Sequence, residues 1–469
     1  MQTIVAIEAT LDYRGVRPRK IMRILLVQAF TALDLELVWP IGLNYLAAHL
    51  PEDYEVDIFD VNLYRDLEDP YGALRNKVAE MAPDVVGISL RNIKVASPGV
   101  HSDDFEPQQR TVRVIREVAP GAKIIAGGTA FSLYSELFME RLPELDFGMW
   151  GEGEARFPAL LENLEAPQDI PGLWYRNDEG ETVYTGPPPA LDFAKIKPPR
   201  RDLISFQPYV ESSACSVGLQ SKRGCALHCI HCSDTFLLGH TVRRKTPSET
   251  VDEMEELVYD HKVPRLFFCD QIFNIPVKHS INICKEIVDR GLEVEWSAWF
   301  NEHRKTLPDE LIIWLKKAGC NLLSFSPDHV DDRMLKNMVK NFRHKDLVYT
   351  YEIAKKYDMD VEYSFFLNGP GEDWRSLAAI LKFLLKAKLH LGPNLRMFTL
   401  LMMQPIRIYP HSRLHELAVE TGLIDRDADL IDGRFWNPGS LQYAVAGIQA
   451  AARVAYDARS RVKSLQAAV

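Results

Sequence analysis

The sequence lacks the features of membrane, secreted and nucleic-acid-binding proteins. No apolar run approaches the roughly 18 residues that span a bilayer, and the first twenty residues have no continuous apolar core typical of a secretory signal. The net charge is -10 and no extended Lys/Arg stripe offsets it, which argues against a nucleic-acid partner. We therefore expect a cytoplasmic protein that uses neither membrane nor nucleic acid.

Cysteine is scarce and unevenly distributed. The seven cysteines are an odd number and are not spread like a disulfide framework. Cys225, Cys229 and Cys232 stand together with the spacing Cys-x3-Cys-x2-Cys, which in a reducing compartment is more typical of a metal site than of disulfides. The remaining four show no ligand spacing and are expected to be ordinary thiols: Cys215, Cys269, Cys284 and Cys320.

The chain is long enough for two or three domains, at 469 residues with 46% apolar and 26% charged residues. Residues 22–165 alternate short apolar strands with helices, which predicts an α/β, doubly wound (Rossmann-like) domain. Residues 166–210 are rich in proline and are predicted to be a linker. Residues 211–410 repeat strand-helix units, which indicates a partial (β/α)6 TIM-type barrel. Residues 411–469 are expected to be helical, and residues 1–21 form a leader of uncertain structure, with Met22 a possible true start.

Three loops follow strands of the first domain. Ligands of doubly wound domains bind beyond the carboxyl ends of the strands, so these loops are expected to meet at one rim and form a pocket. Their residues are Arg91, Asn92, Gly127, Gly128, Thr129, Gly151, Glu152, Gly153 and Glu154.

The cysteine trio has a specific chemical use. Three thiolates can hold three irons of a cubane cluster and leave the fourth iron open to a substrate, whereas clusters that only transfer electrons normally have every iron ligated. The alternative is a zinc knuckle completed by His228 and His231, although structural zinc sites usually bring a second ligand pair downstream.

The spacing resembles that of the radical S-adenosylmethionine (SAM) superfamily, in which SAM chelates the open iron of a 4Fe-4S cluster. Residues 270–274 (DQIFN) and 368–372 (NGPGE) resemble the strand-end signatures of that superfamily, in the same order. The resemblance implies that SAM contacts come from His231, Asp270, Ser324, Ser326, Gly369, Gly371 and Glu372. His231 stands where the superfamily often has Phe or Tyr, so a ring against adenine and a solvated histidine both remain open.

A doubly wound domain ahead of such a barrel resembles the cobalamin-binding radical SAM family (class B methyltransferase-like). Residues 40–46, 87–92, 127–129 and 151–154 carry this resemblance. It implies a corrin on the strand ends of the first domain, facing the cluster and held by the nine residues of the three loops. The loop of residues 28–39 has no histidine to lie below cobalt, so Arg91 is a candidate to face the corrin. The alternative for Arg91 is a salt bridge on the surface.

The resemblance implies a cobalamin-dependent radical SAM methyltransferase. It would move a methyl group from SAM via methylcobalamin to a carbon of a small-molecule or peptide natural-product intermediate, with an electron donor such as flavodoxin or ferredoxin. The alternatives are an oxidative cyclase or rearrangement enzyme without methyl transfer and a non-catalytic cobalamin or iron-sulfur binding protein.

Two further groups of residues are candidates for contact with the substrate. A polar reaction needs a base, for which the candidates are Glu154, Glu295, Glu302 and His303. Contacts that select the substrate are expected from Trp296, Trp299, Phe300, Arg396, Arg407 and Tyr409. Aromatic residues at strand ends are, however, more often part of a core than of a pocket.

Overall fold

A computed structural model describes residues 21–31, 37–91, 105–212, 217–396 and 403–451. Asn92 and Cys215 lie outside these residues. In the described part of the chain, no helix is long and apolar enough to cross a bilayer.

The first domain is built on a seven-stranded sheet with the order β2-β1-β3-β4-β5-β6-β7. Its strands are β1 (Arg23–Gln28), β2 (Glu55–Asp60), β3 (Val85–Ser89), β4 (Lys123–Gly127), β5 (Phe147–Met149), β6 (Leu173–Arg176) and β7 (Thr182–Tyr184). Its helices are α1 (Ile41–Ala48), α2 (Pro70–Met81), α3 (Glu106–Val118), α4 (Thr129–Leu133), α5 (Ser135–Arg141) and α6 (Arg156–Glu162). The first five strands are parallel, as their near-continuous apolar sequences predict.

Residues 166–210 are not a simple linker. Strand β6 pairs antiparallel with β5 and β7 pairs antiparallel with β6, so this hairpin extends the first sheet. The prolines that suggested a connector lie at 187–189 and 198–199, after the hairpin, and therefore do not disturb its pairing. The segment continues through α7 (Gln207–Glu211) to the second domain.

The second domain is a parallel sheet with the order β14-β13-β12-β11-β8. Its strands, together with two short antiparallel pairs (β9 with β10 and β15 with β16), are β8 (Val217–Leu219), β9 (Lys222–Arg223), β10 (Arg243–Arg244), β11 (Arg265–Phe268), β12 (Glu295–Phe300), β13 (Cys320–Asp328), β14 (Asp360–Phe365), β15 (Ile406–Arg407) and β16 (Phe435–Trp436). Parallel bridges from Val361 to Leu395 and from Phe366 to Gln404 add a sixth segment beside β14. The partial six-stranded barrel is thus confirmed.

Helices alternate with the strands of this sheet and continue into the carboxyl-terminal region. They are α8 (Asp234–Leu238), α9 (Pro247–Glu255), α10 (Val277–Asp289), α11 (Asp309–Lys317), α12 (Asp332–Asn337), α13 (His344–Tyr357), α14 (Trp374–Leu391), α15 (Arg413–Glu420) and α16 (441–451).

The two domains share part of their core. One cluster of buried side chains joins Phe131 and Leu133 of the first domain to Ile230, Met338 and Ile406 of the second. Because Ile230 lies within the cysteine loop, this shared packing fixes that loop against the first domain.

Candidate functional site

The three clustered cysteines lie in the loop between β9 and α8, at the rim of the barrel. Gly224 precedes Cys225 with a φ of +94°, and an added Cβ would lie 2.3 Å from the Thr241 carbonyl oxygen, so only glycine fits there. The Asp234 backbone N–H donates to Cys232 Sγ at 3.5 Å. The loop therefore has a defined backbone that presents all three thiols half-buried.

The chemistry of these thiols fits an iron-sulfur cluster. Burial raises the pKa of Cys225, Cys229 and Cys232, so the thiolate form requires a positive partner, and coordination to a metal supplies one. Among the described residues, no three His, Cys, Asp or Glu side chains converge as ligands of a single ion would. In a cubane cluster, each of the three cysteine sulfurs binds a different iron. Thiols that do not converge on one point are therefore compatible with a cluster.

Asp270 supports the strand that leads to this loop. Its carboxylate accepts hydrogen bonds from the Ser221 backbone N–H at 2.8 Å and the Ser221 hydroxyl at 2.5 Å, and Lys222 Nζ lies 3.5 Å away. All of these groups are buried. Both carboxylate oxygens of Asp270 thus have protein partners, and its contact with SAM stays a prediction.

The loop of residues 368–372 is held by its own acidic residue. Glu372 Oε2 accepts from the Gly369 backbone N–H at 2.8 Å, and Oε1 lies 3.4 Å from His329 Nε2. Gly371 has a φ of +83°, which gives the loop its turn. The Glu372 side chain is fully buried and shapes the loop, and its contact with SAM stays a prediction.

The two serines of β13 differ in burial and in their hydrogen bonds. Ser324 is buried and its hydroxyl donates to Glu362 Oε1 at 2.6 Å. Ser326 is half-buried, and its backbone carbonyl oxygen accepts from Lys340 Nζ at 2.9 Å. Ser326 and the backbone at Gly369 therefore remain the candidate contacts for SAM on this side.

A cavity of about 320 Å³ lies at the carboxyl ends of the first sheet. Its walls include most of the predicted corrin-binding residues: Gly127, Gly128, Thr129, Gly151, Glu152, Gly153 and Glu154, with Gly42 and Gly87 beside them. The barrel closes the opposite wall with Gln220, Arg223 and Gln271. The structure thus brings the strand-end loops together as the doubly wound topology predicts.

The lining of this cavity suits a ligand that carries amide groups, as a corrin does. Glycine walls expose backbone and leave room, and Gly128 has a φ of +95° with an added Cβ only 2.8 Å from the Leu90 carbonyl oxygen. Gln271 Oε1 is buried and has no hydrogen-bond partner among the described residues. A buried acceptor without a partner is costly, so an N–H of the ligand is a fitting donor. Sequence reasoning missed Gln271, although it lies inside the DQIFN segment.

Buried ion pairs join this wall to the cysteine loop. Arg223 Nη1 lies 2.6 Å from Glu154 Oε1 and 2.9 Å from Glu152 Oε1, and Arg243 Nη1 lies 2.6 Å from Glu152 Oε2. Burial opposes ionisation of Glu154, but the Arg223 guanidinium holds its pKa below the usual value. Glu154 is therefore a charged partner of Arg223, and its role as a base stays a prediction.

Replacing Arg223 by methionine is expected to destabilise the protein. It leaves the buried Glu154 carboxylate without its partner, and breaking a buried pair in this way costs about 3–5 kcal/mol. Urea unfolding, followed by far-UV circular dichroism, measures the change. Arg413→Met provides the control, because Arg413 pairs with Glu416 at an exposed site. Equal unfolding midpoints for Arg223→Met and the wild type would contradict the structural role.

A second cavity, of about 270 Å³, lies between the first domain and the cysteine loop. Arg91, Thr129 and Tyr134 line it from one side and His231, Cys232 and Asp234 from the other, with Arg407 and Tyr409 completing the wall. Arg91 therefore faces the interior of the molecule, and not only the outer surface. Arg407 and Tyr409 are the two predicted substrate contacts that the structure brings to this place.

His231 is held in place and does not protrude into solvent. Its Nε2 lies 3.5 Å from Asp328 Oδ2, and its ring meets the edge of Phe366 with centroids 4.9 Å apart. Burial lowers its pKa, so the imidazole is neutral. The solvated alternative for His231 is thus wrong.

Several other predicted contacts lie away from both cavities. Glu295 is the first residue of β12 and is exposed at the amino end of the barrel, and Arg396 binds the carboxylate of Asp360 at the start of β14. Trp296 and Phe300 are core residues, and Trp299 is half-buried in the same strand. His303 Nδ1 accepts from the Lys305 backbone N–H at 3.0 Å and so holds a turn. Glu295 and Trp296 lie at the amino end of β12, whereas the chemistry of such barrels occurs at the carboxyl ends of strands. The roles of all these residues stay predictions.

Glu302 is the proposed base whose surroundings suit proton transfer. Its side chain is buried beside the Ser326 backbone of β13. One carboxylate oxygen, Oε1, has no hydrogen-bond partner among the described residues. Burial raises the pKa of Glu302 to about 8.

Glu302→Gln is expected to change how stability depends on pH. The unfolded carboxyl ionises near its ordinary pKa whereas the folded one stays protonated to about pH 8, so wild type loses stability between these values. The glutamine variant lacks this loss, and its advantage should grow from pH 5 to pH 8 and then level off. Urea midpoints at pH 5, 6.5, 8 and 9 measure it, and a constant difference over that range would count against the raised pKa.

Comparison with known proteins identifies both halves of the chain. Residues 35–161 match the B12 binding domain model, and residues 219–384 match the Radical SAM superfamily model, which includes all three clustered cysteines. The chain belongs to the cobalamin-binding radical SAM enzymes. The predicted fold class and the expected cofactors, namely cobalamin, SAM and a 4Fe-4S cluster, are thereby confirmed.

Individual relatives of this radical SAM enzyme include proteins with different reactions. An uncharacterized methyltransferase of Pyrococcus horikoshii is 25% identical over 413 residues, which are 86% of this chain and 85% of that protein. The anaerobic magnesium-protoporphyrin IX monomethyl ester cyclase of Cereibacter sphaeroides is 27% identical over 256 residues, 52% of this chain and 40% of that protein.

A solved structure has the same overall fold. TsrM of Kitasatospora setae, a radical SAM methyltransferase with cobalamin and a 4Fe-4S cluster bound, superposes with a TM-score of 0.72 and 19% identity. The match covers 85% of this chain and 75% of TsrM.

Proposed function

We propose that this enzyme is a cobalamin-dependent radical SAM methyltransferase that transfers a methyl group from SAM to a carbon of a small-molecule or peptide natural-product intermediate. The observation that carries this proposal is the second cavity, where Arg91 and Thr129 of the cobalamin domain face His231 and Cys232 of the cysteine loop. Cobalamin, as the methyl carrier, and the cluster with SAM, as the source of the radical, would both border this cavity. The similarity to the Pyrococcus horikoshii methyltransferase, which extends over most of both chains, supports the same reaction class.

The residues of the chain would position these groups. When bound, the cluster and SAM supply a radical and the corrin supplies a methyl carrier. The cysteine loop would hold the cluster, and the glycine-lined cavity would hold the corrin. Arg91 would keep positive charge beside the corrin. Tyr409 and Arg407, whose guanidinium carbon lies 5.0 Å from the Tyr409 ring centroid, would form the substrate wall.

Methyl transfer also sets requirements outside the chain. The cluster has to be reduced, so we propose a flavodoxin or ferredoxin as electron donor. We also propose a cytoplasmic location, because a thiolate-bound cluster needs a reducing compartment.

Deuterium in the methyl group of SAM tests the proposed function without a known substrate. The reconstituted, reduced enzyme is incubated with deuteromethyl-SAM and quenched in the dark, and the corrin fraction is analysed by mass spectrometry. The proposal predicts deuteromethyl label in the corrin. Cleavage of SAM without any label in the corrin would favour the cyclase-type alternative, for which the similarity to the Cereibacter sphaeroides cyclase is the supporting observation.

A further inference from the structure

Lys340 is a buried cation beside the cluster ligands, and neither sequence reasoning nor the proposed mechanism gives it a role. It follows α12, and its side chain is only 8% exposed. Its Nζ lies 2.6 Å from Asp328 Oδ2 and 3.7 Å from Cys229 Sγ, and it donates to the Ser326 carbonyl oxygen at 2.9 Å. The ammonium is therefore held by oxygen partners on one side and directed at a cluster sulfur on the other.

The surroundings keep this lysine charged and in place. The Asp328 carboxylate, 2.6 Å from Nζ, is the charged partner that a buried ammonium needs. The backbone nearby is also tied to the cysteine loop, because the Ile230 N–H donates to the Met338 carbonyl oxygen at 3.3 Å. Lys340 and Cys229 are thus connected both through their side chains and through adjacent backbone.

We propose that Lys340 donates a hydrogen bond to the Cys229 thiolate of the bound cluster and thereby raises the reduction potential of that cluster. Reduction adds one electron to the cluster and hence one negative charge. A cation close to a ligand sulfur stabilises the reduced form more than the oxidised form, and hydrogen bonds to sulfur act in the same direction. Lys340 is in this sense a positioning residue that makes electron uptake easier. The inference depends on the cluster and not on methyl transfer.

Lys340→Met in the full, reconstituted holoenzyme tests the proposal. The cluster is titrated anaerobically with dithionite as the electron source, without SAM, and followed by electron paramagnetic resonance. We expect the reduced-to-oxidised ratio at a fixed potential to fall at least about tenfold, equivalent to a midpoint about 59 mV more negative for one electron. Lys336→Met is the matched control, since Lys336 is an exposed lysine of α12 four residues earlier, and its midpoint should equal that of wild type.

Variants of Asp328 distinguish a direct contact between Lys340 and the Cys229 sulfur from an effect of the Asp328 charge alone. Lys340→Met leaves Asp328 uncompensated, so the double variant Lys340→Met, Asp328→Asn should recover only part of the shift. Full recovery would overturn the sulfur contact, because the shift would then arise from the Asp328 charge alone. Should Lys340→Met fail to assemble a cluster, Asp328→Asn by itself keeps the lysine and should move the midpoint to more positive values, and a negative or absent shift would overturn the proposal.

SAM binding separates this role from a role in holding SAM. Isothermal titration of the oxidised holoenzyme with SAM should give similar dissociation constants for wild type and Lys340→Met. An unchanged midpoint combined with a weakened SAM affinity would overturn the proposal and make Lys340 a SAM ligand instead.

Discussion

Replacing Cys225, Cys229 and Cys232 together by alanine removes the iron of the anaerobically reconstituted protein and leaves its corrin in place. Wild type should hold about four irons per chain and the triple variant essentially none, because three thiolates are the protein ligands of such a cluster. The corrin should stay, since the strand-end loops of the first domain form most of the glycine-lined cavity and none of these cysteines lines it. Iron analysis and the visible spectrum after desalting measure both cofactors, and SAM cleavage should be abolished.

A matched control uses a cysteine outside the loop. Cys284 is fully buried in α10, away from the cysteine loop, so Cys284→Ala should keep both iron and corrin with only a small core defect. Full iron content in the triple variant, or one zinc per wild-type chain in place of iron, would refute the assignment of the trio.

Filling the first cavity should weaken corrin binding and spare the cluster. Gly127 lines this cavity, and a Cβ at its position would meet no atom closer than 3.6 Å, so Gly127→Leu places a side chain in the open space without breaking the backbone. Overpacking of this kind costs about 1–3 kcal/mol, which corresponds to roughly tenfold to hundredfold weaker cobalamin binding. Equilibrium dialysis with hydroxocobalamin gives the affinity, and iron content serves as the internal reference.

Gly447→Leu is the control for this variant. Gly447 lies in α16, exposed and with no atom within 4 Å of an added Cβ, so its replacement by leucine should leave cobalamin affinity unchanged. Undiminished affinity in Gly127→Leu would show that the corrin lies elsewhere, and simultaneous loss of iron and corrin would indicate misfolding.

Local sequence patterns were sufficient for the strands and the cysteine loop. Residues 24–27 and 85–89 are short apolar runs because parallel strands are buried on both faces, and this signal needs no partner to be read. The cysteine spacing is likewise local. The strand-end loops of residues 127–129 and 151–154 converged in the structure as topology alone required.

Interactions between residues distant in sequence were the ones that local patterns could not supply. Glu154 carried a motif expected to touch a ligand, but its partner Arg223 stands 69 residues later, and only the fold brings the two together. The motif around Asp270 likewise did not reveal that Ser221 donates hydrogen bonds to both of its carboxylate oxygens. The strand pattern predicted β12, but Glu295 is the first residue of that strand and lies at the amino end of the barrel, away from the carboxyl ends where chemistry occurs.

The most direct test of the account measures whether cobalamin and cluster face each other across the second cavity. The holoenzyme is prepared with cob(II)alamin and a reduced cluster, and pulsed electron paramagnetic resonance records the dipolar interaction between the two unpaired spins. With Arg91 and Cys232 lining one cavity, the account predicts a clear dipolar splitting of the cob(II)alamin signal that vanishes in the triple cysteine variant. A spectrum equal to the sum of two isolated centres would contradict it.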